Sequence, residues 1–288
     1  MPLIEGLQTS PGLLVSACAV LGLIIGSFLN VVILRLPRMM EIAWRREARE
    51  LLELPPVDGA PLSLTQPASC CPNCGQAIKP WHNVPVLGWL WLRGRCAACG
   101  TPISVQYPLV ELACGILSAL CAQHFGWGAP LAAALVFTWM LLALAVIDLR
   151  TQLLPDDLTM TLLWLGLALS LFPVFATPQA AIIGAIAGYL SLWGVFQLFR
   201  LATGKEGMGY GDFKLLAMLG AWGGWQILPL TLLLSSLVGA IIGVIVLRTR
   251  GAPTSTQIPF GPYLAIAGWI ALLWGGQITD FYWQSVGF

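Results

Sequence analysis

Charge is what this sequence has least of. Asp, Glu, Lys and Arg make up 9% of its 288 residues, against about 25% in an ordinary soluble domain. The 14 basic and 13 acidic side chains leave a net charge of +1, which gives no sign of nucleic-acid binding. The usual removable signal peptide is also missing. The first apolar run has no basic segment before it and is followed by Arg35 and Arg38, so it reads as a retained first span. No internal repeat relates the apolar runs to one another.

What remains is apolar. The chain is 58% hydrophobic with a mean hydropathy of +0.82, which marks an all-α polytopic membrane protein. A span needs about 20 apolar residues. Eight candidates follow: Pro11–Leu34, Tyr107–His124, Ala129–Ile147, Leu158–Thr177, Gln179–Phe199, Asp212–Gln226, Ile227–Leu247 and Pro259–Ile278. The sixth is short and rich in glycine, and one long span with an interfacial piece is the alternative for the sixth and seventh. With the N-terminus outside, all 14 Lys and Arg fall on the inner side, as the positive-inside rule requires. Gly184 with Gly188, and Gly239 with Gly243, are spaced for close helix contact. The expected division is a first span (1–34), a cytoplasmic module (35–106) and a seven-span membrane domain (107–288).

The module begins with alternating charge. Glu41 with Arg45, Arg46 with Glu50 and Arg49 with Glu53 are i,i+4 pairs of a solvated helix. A sharper reading is that Glu41, Glu47, Glu50, Glu53 and Asp58 attract a basic substrate segment. Pro55, Pro56, Pro61 and Pro67 then break the chain.

Two C-x-x-C knuckles follow, Cys71/Cys74 and Cys96/Cys99, each closed by a glycine and separated by 21 residues. The spacing matches a four-thiolate zinc site. Disulfides are the alternative, disfavoured in a reducing cytosol. Four thiolates leave zinc no open position, so the role would be structural. Cys70 is an extra thiol outside the two-residue spacing. His82, between the knuckles, reads as a polar loop residue. Cys18, Cys114 and Cys121 read as packing residues in spans.

The carboxylates at membrane edges carry the chemistry. Asp212 lies in Gly209-Tyr210-Gly211-Asp212-Phe213-Lys214, where an ionised group costs about 2.5–3.5 kcal/mol. The flanking glycines allow close backbone approach. A helix starting near Asp212 would make the residue a plain N-cap, the alternative to a catalytic role. Asp148 ends another apolar run at the same edge, and its alternative is an edge anchor beside Arg150. Two carboxylates held close share one proton, so one acts as acid and the other as base. That pair can activate water for peptide hydrolysis. Gly209, Gly211, Lys214, Asp156 and Glu111 are supporting candidates. Asp156, in Leu154-Pro155-Asp156-Asp157, first reads as the cap of the fourth span. Glu111 lies about one turn inside the second span and should face a cavity or a partner, as should Asn30 in the first.

The chain resembles the type IV prepilin leader peptidases that also act as N-methyltransferases. The marks are Gly26-Ser27-Phe28-Leu29-Asn30 with Arg35-Leu36-Pro37, both cysteine knuckles, Leu92-Arg93-Gly94-Arg95-Cys96 and Tyr107-Pro108-Leu109-Val110-Glu111. Asp148 with Leu154-Pro155-Asp156 and the Gly-x-Gly-Asp-x-Lys run complete the set. The resemblance implies an aspartic peptidase of the bacterial inner membrane that removes a short basic leader from prepilins and type II secretion pseudopilins at the cytoplasmic face. It implies catalysis by Asp148 and Asp212, and zinc on Cys71, Cys74, Cys96 and Cys99. It also implies N-methylation of the new terminus, usually Phe, with S-adenosylmethionine as donor and Gly94 linked to that step. No strand with a Gly-rich loop marks a Rossmann-type methyltransferase, so methylation rests on the resemblance alone. The alternatives are a peptidase without methylation, a transporter using the two carboxylates, and a non-enzymatic assembly factor.

Overall fold

A computed structural model describes residues 2–55, 62–250 and 259–286. Among the described residues ten α-helices run in chain order: α1 (Pro2–Thr9), α2 (Pro11–Leu51), α3 (Leu87–Trp91), α4 (Gln106–Phe125), α5 (Ala129–Thr151), α6 (Asp156–Ser170), α7 (Pro178–Thr203), α8 (Tyr210–Gly223), α9 (Leu228–Arg250) and α10 (Gly261–Val286). Among the described residues no strand longer than an isolated bridge forms. The chain makes two compact units, Met1–Ala143 and Leu144–Phe288. Pro56, Asp58 and Pro61 lie outside the described residues.

Among the described residues six helical stretches are long and apolar enough to cross a membrane: α2, α4, α5, α7, Trp225–Ile245 and Gly261–Ser285. Multiple apolar helices of this kind make this a membrane protein. The other two expected spans appear as α6 and α8, of 15 and 14 residues. At 1.5 Å per residue they cover about 21–23 Å, short of a hydrocarbon core of about 30 Å. Helix α8 tolerates its shortness because protein surrounds it. Ten of its 14 residues are buried, from Asp212 to Trp222, the pattern of a helix apolar on every side. The break after it is sharp. Gly224 takes φ +77° and Trp225–Ile227 form a 3₁₀ turn before α9, so two helices form rather than one.

Within the second unit, α7 and α8 meet backbone to backbone. A Cβ on Gly184 would lie 2.3 Å from the Gly220 carbonyl oxygen, and one on Gly188 would lie 2.6 Å from that of Leu216. The spacing of Gly184 and Gly188 thus serves close contact. Helix α6 joins α8 through Trp222, whose indole N–H donates to the Leu162 carbonyl at 2.8 Å. Within the first unit, α2 and α4 pack equally tightly at Gly22 and Gly26, where a Cβ would meet the Cys114 carbonyl oxygen and the Glu111 Cα.

Helix α2 departs from expectation. The first span was expected to stop at Leu34, with a separate charged helix over Glu41–Leu54. A single 41-residue helix instead passes through Pro37. At about 62 Å it is twice the hydrocarbon thickness, so its second half stands clear of the membrane. The early stop at Leu51 leaves Glu53 outside the helix at φ +52°. Arg49 therefore donates to the Pro55 carbonyl at 2.9 Å rather than completing a helical pair with Glu53. The Glu41–Arg45 pair forms at 2.5 Å.

Candidate active site and metal centre

The knuckles are built by one repeated local pattern. In the first, the Cys71 N–H donates to the Gln76 carbonyl and the Gly75 N–H to that of Cys71. In the second, Cys96 donates to Thr101 and Gly100 to Cys96. Gly75 and Gly100 take φ +69° and +72°, a conformation that L side chains resist by roughly 1–2 kcal/mol. Each knuckle is pinned by a bridge, Cys70 with Ala77 and Arg95 with Pro102. The sulfurs of Cys71, Cys74, Cys96 and Cys99 all lie within 4.8 Å of one another. A tetrahedron with metal–sulfur bonds of about 2.3 Å has edges of about 3.8 Å, and Cys71 Sγ lies 3.8 Å from Cys99 Sγ. The residues present fit a tetrahedral metal ion. Cys70 and His82 fall outside the cluster.

Two of the four sulfurs lean towards the thiolate, whereas Cys74, despite the backbone hydrogen bond at Gln76, is pushed up to about 11 by burial and by hydrogen bonding with Cys99 and Cys71. Hydrogen bonding draws the Cys99 thiol down to about 6, first with the Thr101 hydroxyl, then with its backbone and with the Asn73 amide. Cys71 is lowered as well, chiefly by the backbone at Cys74 and then at Asn73. Thiolates are the metal-binding form.

Gly94 sits in the turn after α3 at φ +67°, where a Cβ would lie 2.8 Å from the Trp89 indole. That edge of the ring is held in place by the adjacent indole N–H, which donates to the Ile103 carbonyl at 3.2 Å. Gly94→Ala therefore meets both a left-handed backbone and a ring that cannot retreat. The expected result is hydrogen exchange at least tenfold faster across residues 87–103, read by mass spectrometry. Unchanged protection there would show that the turn has room.

Glu111 has a partner, as an intramembrane carboxylate should. It is buried, and its Oε2 accepts the Val86 N–H at 2.7 Å, with the Ser27 side chain as a second bond. Val86 has φ +62° at the start of α3, so Glu111 ties α4 to the segment carrying Gly94. Asn30 is buried and donates to the Gly26 and Tyr107 carbonyls at 3.3 and 3.1 Å.

The two aspartates both lie in the second unit. Asp148 is in the last turn of α5 and Asp212 in the first turn of α8. Their relative exposures of 5% and 8% put both among the buried polar residues. They are close enough for the charge of Asp148 to act on Asp212. The N-cap of α8 is Gly209, not Asp212, so Asp212 is spare to the helix start and available to chemistry. Asp148 is oriented by the Gly261 N–H, which donates to its Oδ2 at 3.1 Å.

Leu154 joins these parts. A Cβ on Gly211 would lie 2.9 Å from the Leu154 Cβ, and one on Gly261 would lie 3.3 Å from its Cδ1 and 2.6 Å from Asp148 Oδ2. Gly211 thus makes room for a side chain rather than for a second backbone, and a Cβ on Gly209 would meet open space. The cap reading of Asp156 is also corrected. Pro155 is the N-cap, and the Asp156 carboxylate instead holds Lys214 Nζ at 2.7 and 2.8 Å. This ties the start of α6 to α8 two residues past Asp212. An exposed pair of this kind is worth about 0.2–1 kcal/mol. A double-mutant cycle with Asp156→Asn and Lys214→Met should return a coupling in that range from denaturant melts. A coupling of zero would reduce the pair to a surface coincidence.

Sequence reasoning missed Leu154 and Gly261. The only local signal was the Phe260-Gly261-Pro262 punctuation before the last helix. What the arrangement offers chemically is a buried pair of carboxylates, one of them held by a backbone donor at Gly261, where a Cβ would crowd that carboxylate.

Comparison with known proteins bears on this geometry. The family model for the bacterial peptidase A24 N-terminal domain matches residues 20–125, and that for the type IV leader peptidase family matches 135–244. Proteins named prepilin leader peptidase/N-methyltransferase are similar along the whole chain. That of Pseudomonas aeruginosa is 59% identical over 289 residues, covering 100% of both chains. That of Stutzerimonas stutzeri is 58% identical over 282 residues, covering 98% of both. That of Aeromonas hydrophila is 54% identical over 284 residues, covering 97% of both. No solved structure matches significantly. With identity this high from end to end, the chain belongs to the type IV leader peptidase family.

Proposed function

We propose that this protein is a membrane aspartic endopeptidase that removes the leader from prepilins and pseudopilins and then N-methylates the new terminus. The observation that carries the reading is the buried pair Asp148 and Asp212, each at a helix end and within reach of the other's charge. One carboxylate is ionised and takes a proton from water. The other is protonated and polarises the scissile carbonyl. The pair titrates as a unit, so the roles belong to the dyad and not to one residue. Gly261 holds the Asp148 side chain, Leu154 packs beside Gly211, and Asp156 with Lys214 fixes the helix starts.

The basic residues favour an inner-membrane orientation with the N-terminus periplasmic and the dyad at the cytoplasmic face. There the substrate's basic leader lies in the cytosol and its apolar helix in the bilayer. Zinc is the metal that best suits four thiolates in a tetrahedral set, and it would be held by Cys71, Cys74, Cys96 and Cys99 as a structural ion. S-adenosylmethionine would supply the methyl group for the freshly cut amine, already held by the enzyme. The cavities described in the two units are apolar and offer no carboxylate to a nucleoside amino acid, so no residue is assigned to it and no step is derived through it. Gly94 enters the methylation reading through the family resemblance alone.

The test is mass spectrometry of a purified prepilin incubated with the enzyme, with and without S-adenosylmethionine. Loss of the leader in both samples, with one added methyl in the first only, is the expected result. A prepilin left intact by folded, metal-loaded enzyme would overturn the peptidase. Cleavage without methyl addition would remove the second activity.

A further inference from the structure

One cavity of the second unit has no part in the dyad chemistry. It encloses about 550 Å³ between α7, α9 and the start of α10. Its walls include Leu192, Val195, Leu232 and Ala240, and its polar lining is confined to hydroxyls such as those of Ser191 and Ser236. Such a wall accepts hydrocarbon and rejects charge. Met208 and Phe260 also line it. Met208 lies four residues before Asp212, and Phe260 precedes the glycine whose N–H binds Asp148. One end of the groove therefore abuts chain segments that lead directly to both carboxylates.

We infer that this groove seats the apolar N-terminal helix of the prepilin, with the scissile junction at its Met208–Phe260 end. The inference rests on the peptidase reading above. Three observations select the occupant. First, size: Leu232 to Ala240 spans about 12 Å of α9, and a helix of about 10 Å diameter over that length fills about 900 Å³. A cavity of 550 Å³ admits one face of such a helix and leaves the other to lipid. Second, access: the neighbouring rows of α9, Leu233, Leu237 and Ile241, are exposed, so a membrane helix can enter sideways without crossing water. Third, position: a lipid chain would fit the apolar wall but has no peptide bond to present to the dyad.

Ser236 and Ala240 are exposed within the groove, so larger side chains there do not strain the packed core. Ser236→Phe should lower kcat/KM on full-length prepilin at least tenfold relative to a short peptide carrying only the leader and junction. Leu237→Phe, on the outer face of the same helix, should leave that ratio unchanged. A second measurement needs no cleavage. With Asp212→Asn as background, a diazirine analogue of leucine at Leu232 should photocrosslink to full-length prepilin, and the same analogue at Leu233 should not. An unchanged substrate ratio in Ser236→Phe would overturn the groove. So would crosslinking that is equal at both positions, or that reaches lipid alone. If wild-type enzyme cuts neither substrate, the peptidase reading falls by itself, while the crosslinks still decide whether the groove holds this helix.

Discussion

Asp212→Asn should abolish leader cleavage while leaving the protein folded. The substitution keeps the shape of the side chain and removes its ability to take or give a proton. A single acid–base group contributes about 10²–10⁴-fold to rate, and a dyad loses both roles when one member is lost. The fall should therefore reach at least about 10³-fold, with Asp148→Asn doing the same and the double variant losing no more than either alone. Stability should hold for a structural reason. Gly209, not Asp212, caps α8, and the contacts that fix that helix, its glycine-mediated packing, the Trp222–Leu162 hydrogen bond and the Lys214–Asp156 pair, do not involve the Asp212 carboxylate. Asparagine at 148 still offers an oxygen to the Gly261 N–H. The measurements are the processed fraction of prepilin over time and the melting temperature of each variant. More than a tenth of wild-type activity in either variant would take that residue out of the mechanism. Losses that simply multiply in the double variant would mean two independent groups rather than a pair.

Removing the metal should have the second largest effect, and it should be local. Structural zinc contributes about 10–16 kcal/mol of apparent binding free energy in small domains at neutral pH. Regular structure around the knuckles is limited to two bridges, a 3₁₀ turn at Pro80–Asn83 and the five-residue α3, and the Glu111–Val86 hydrogen bond anchors only its α3 end. Wild-type protein is expected to carry one zinc per chain by elemental analysis. Cys74→Ser or Cys96→Ser should bring this below a tenth and raise hydrogen exchange across residues 70–103 by more than a hundredfold. Cys70→Ser should change neither reading, because its sulfur lies outside the cluster. Full metal content in Cys96→Ser, or its loss in Cys70→Ser, would show that the ligand set is different.

The two sites were legible to different degrees, and the reason is range. A knuckle is a local object. Five residues, the last a left-handed glycine, define it, so Cys71-Pro-Asn-Cys74-Gly75 and Cys96-Ala-Ala-Cys99-Gly100 could be read directly, and the structure brings all four sulfurs together. The dyad is not local. Each carboxylate could be singled out as an acid at the end of an apolar run, but only the fold brings the charge of Asp148 to bear on Asp212. Asp156 was misread for a related reason. The cap signature at Pro155-Asp156 is a fair local argument, and it lost to an ammonium on another helix, which forms a bidentate contact at 2.7–2.8 Å. Local propensity also misjudged α2. The apolar run ends at Leu34 and charged residues follow, which suggested that the span stops there, yet the helix runs on to Leu51.

The sequence by itself determined that this is a helical membrane protein, where its apolar segments lie, and which thiols and acids stand out as candidates for chemistry. Those features follow from hydropathy and short-range spacing, which any stretch of chain carries within itself. Tertiary structure alone decided that α8 is a short buried helix at the centre of its unit, and that Leu154 and Gly261 furnish the surroundings of Asp148. It also decided that an apolar groove opens between α7, α9 and the start of α10. These depend on residues far apart in sequence meeting through close-packed glycines such as Gly184 and Gly220, and hydropathy is blind to which helices meet.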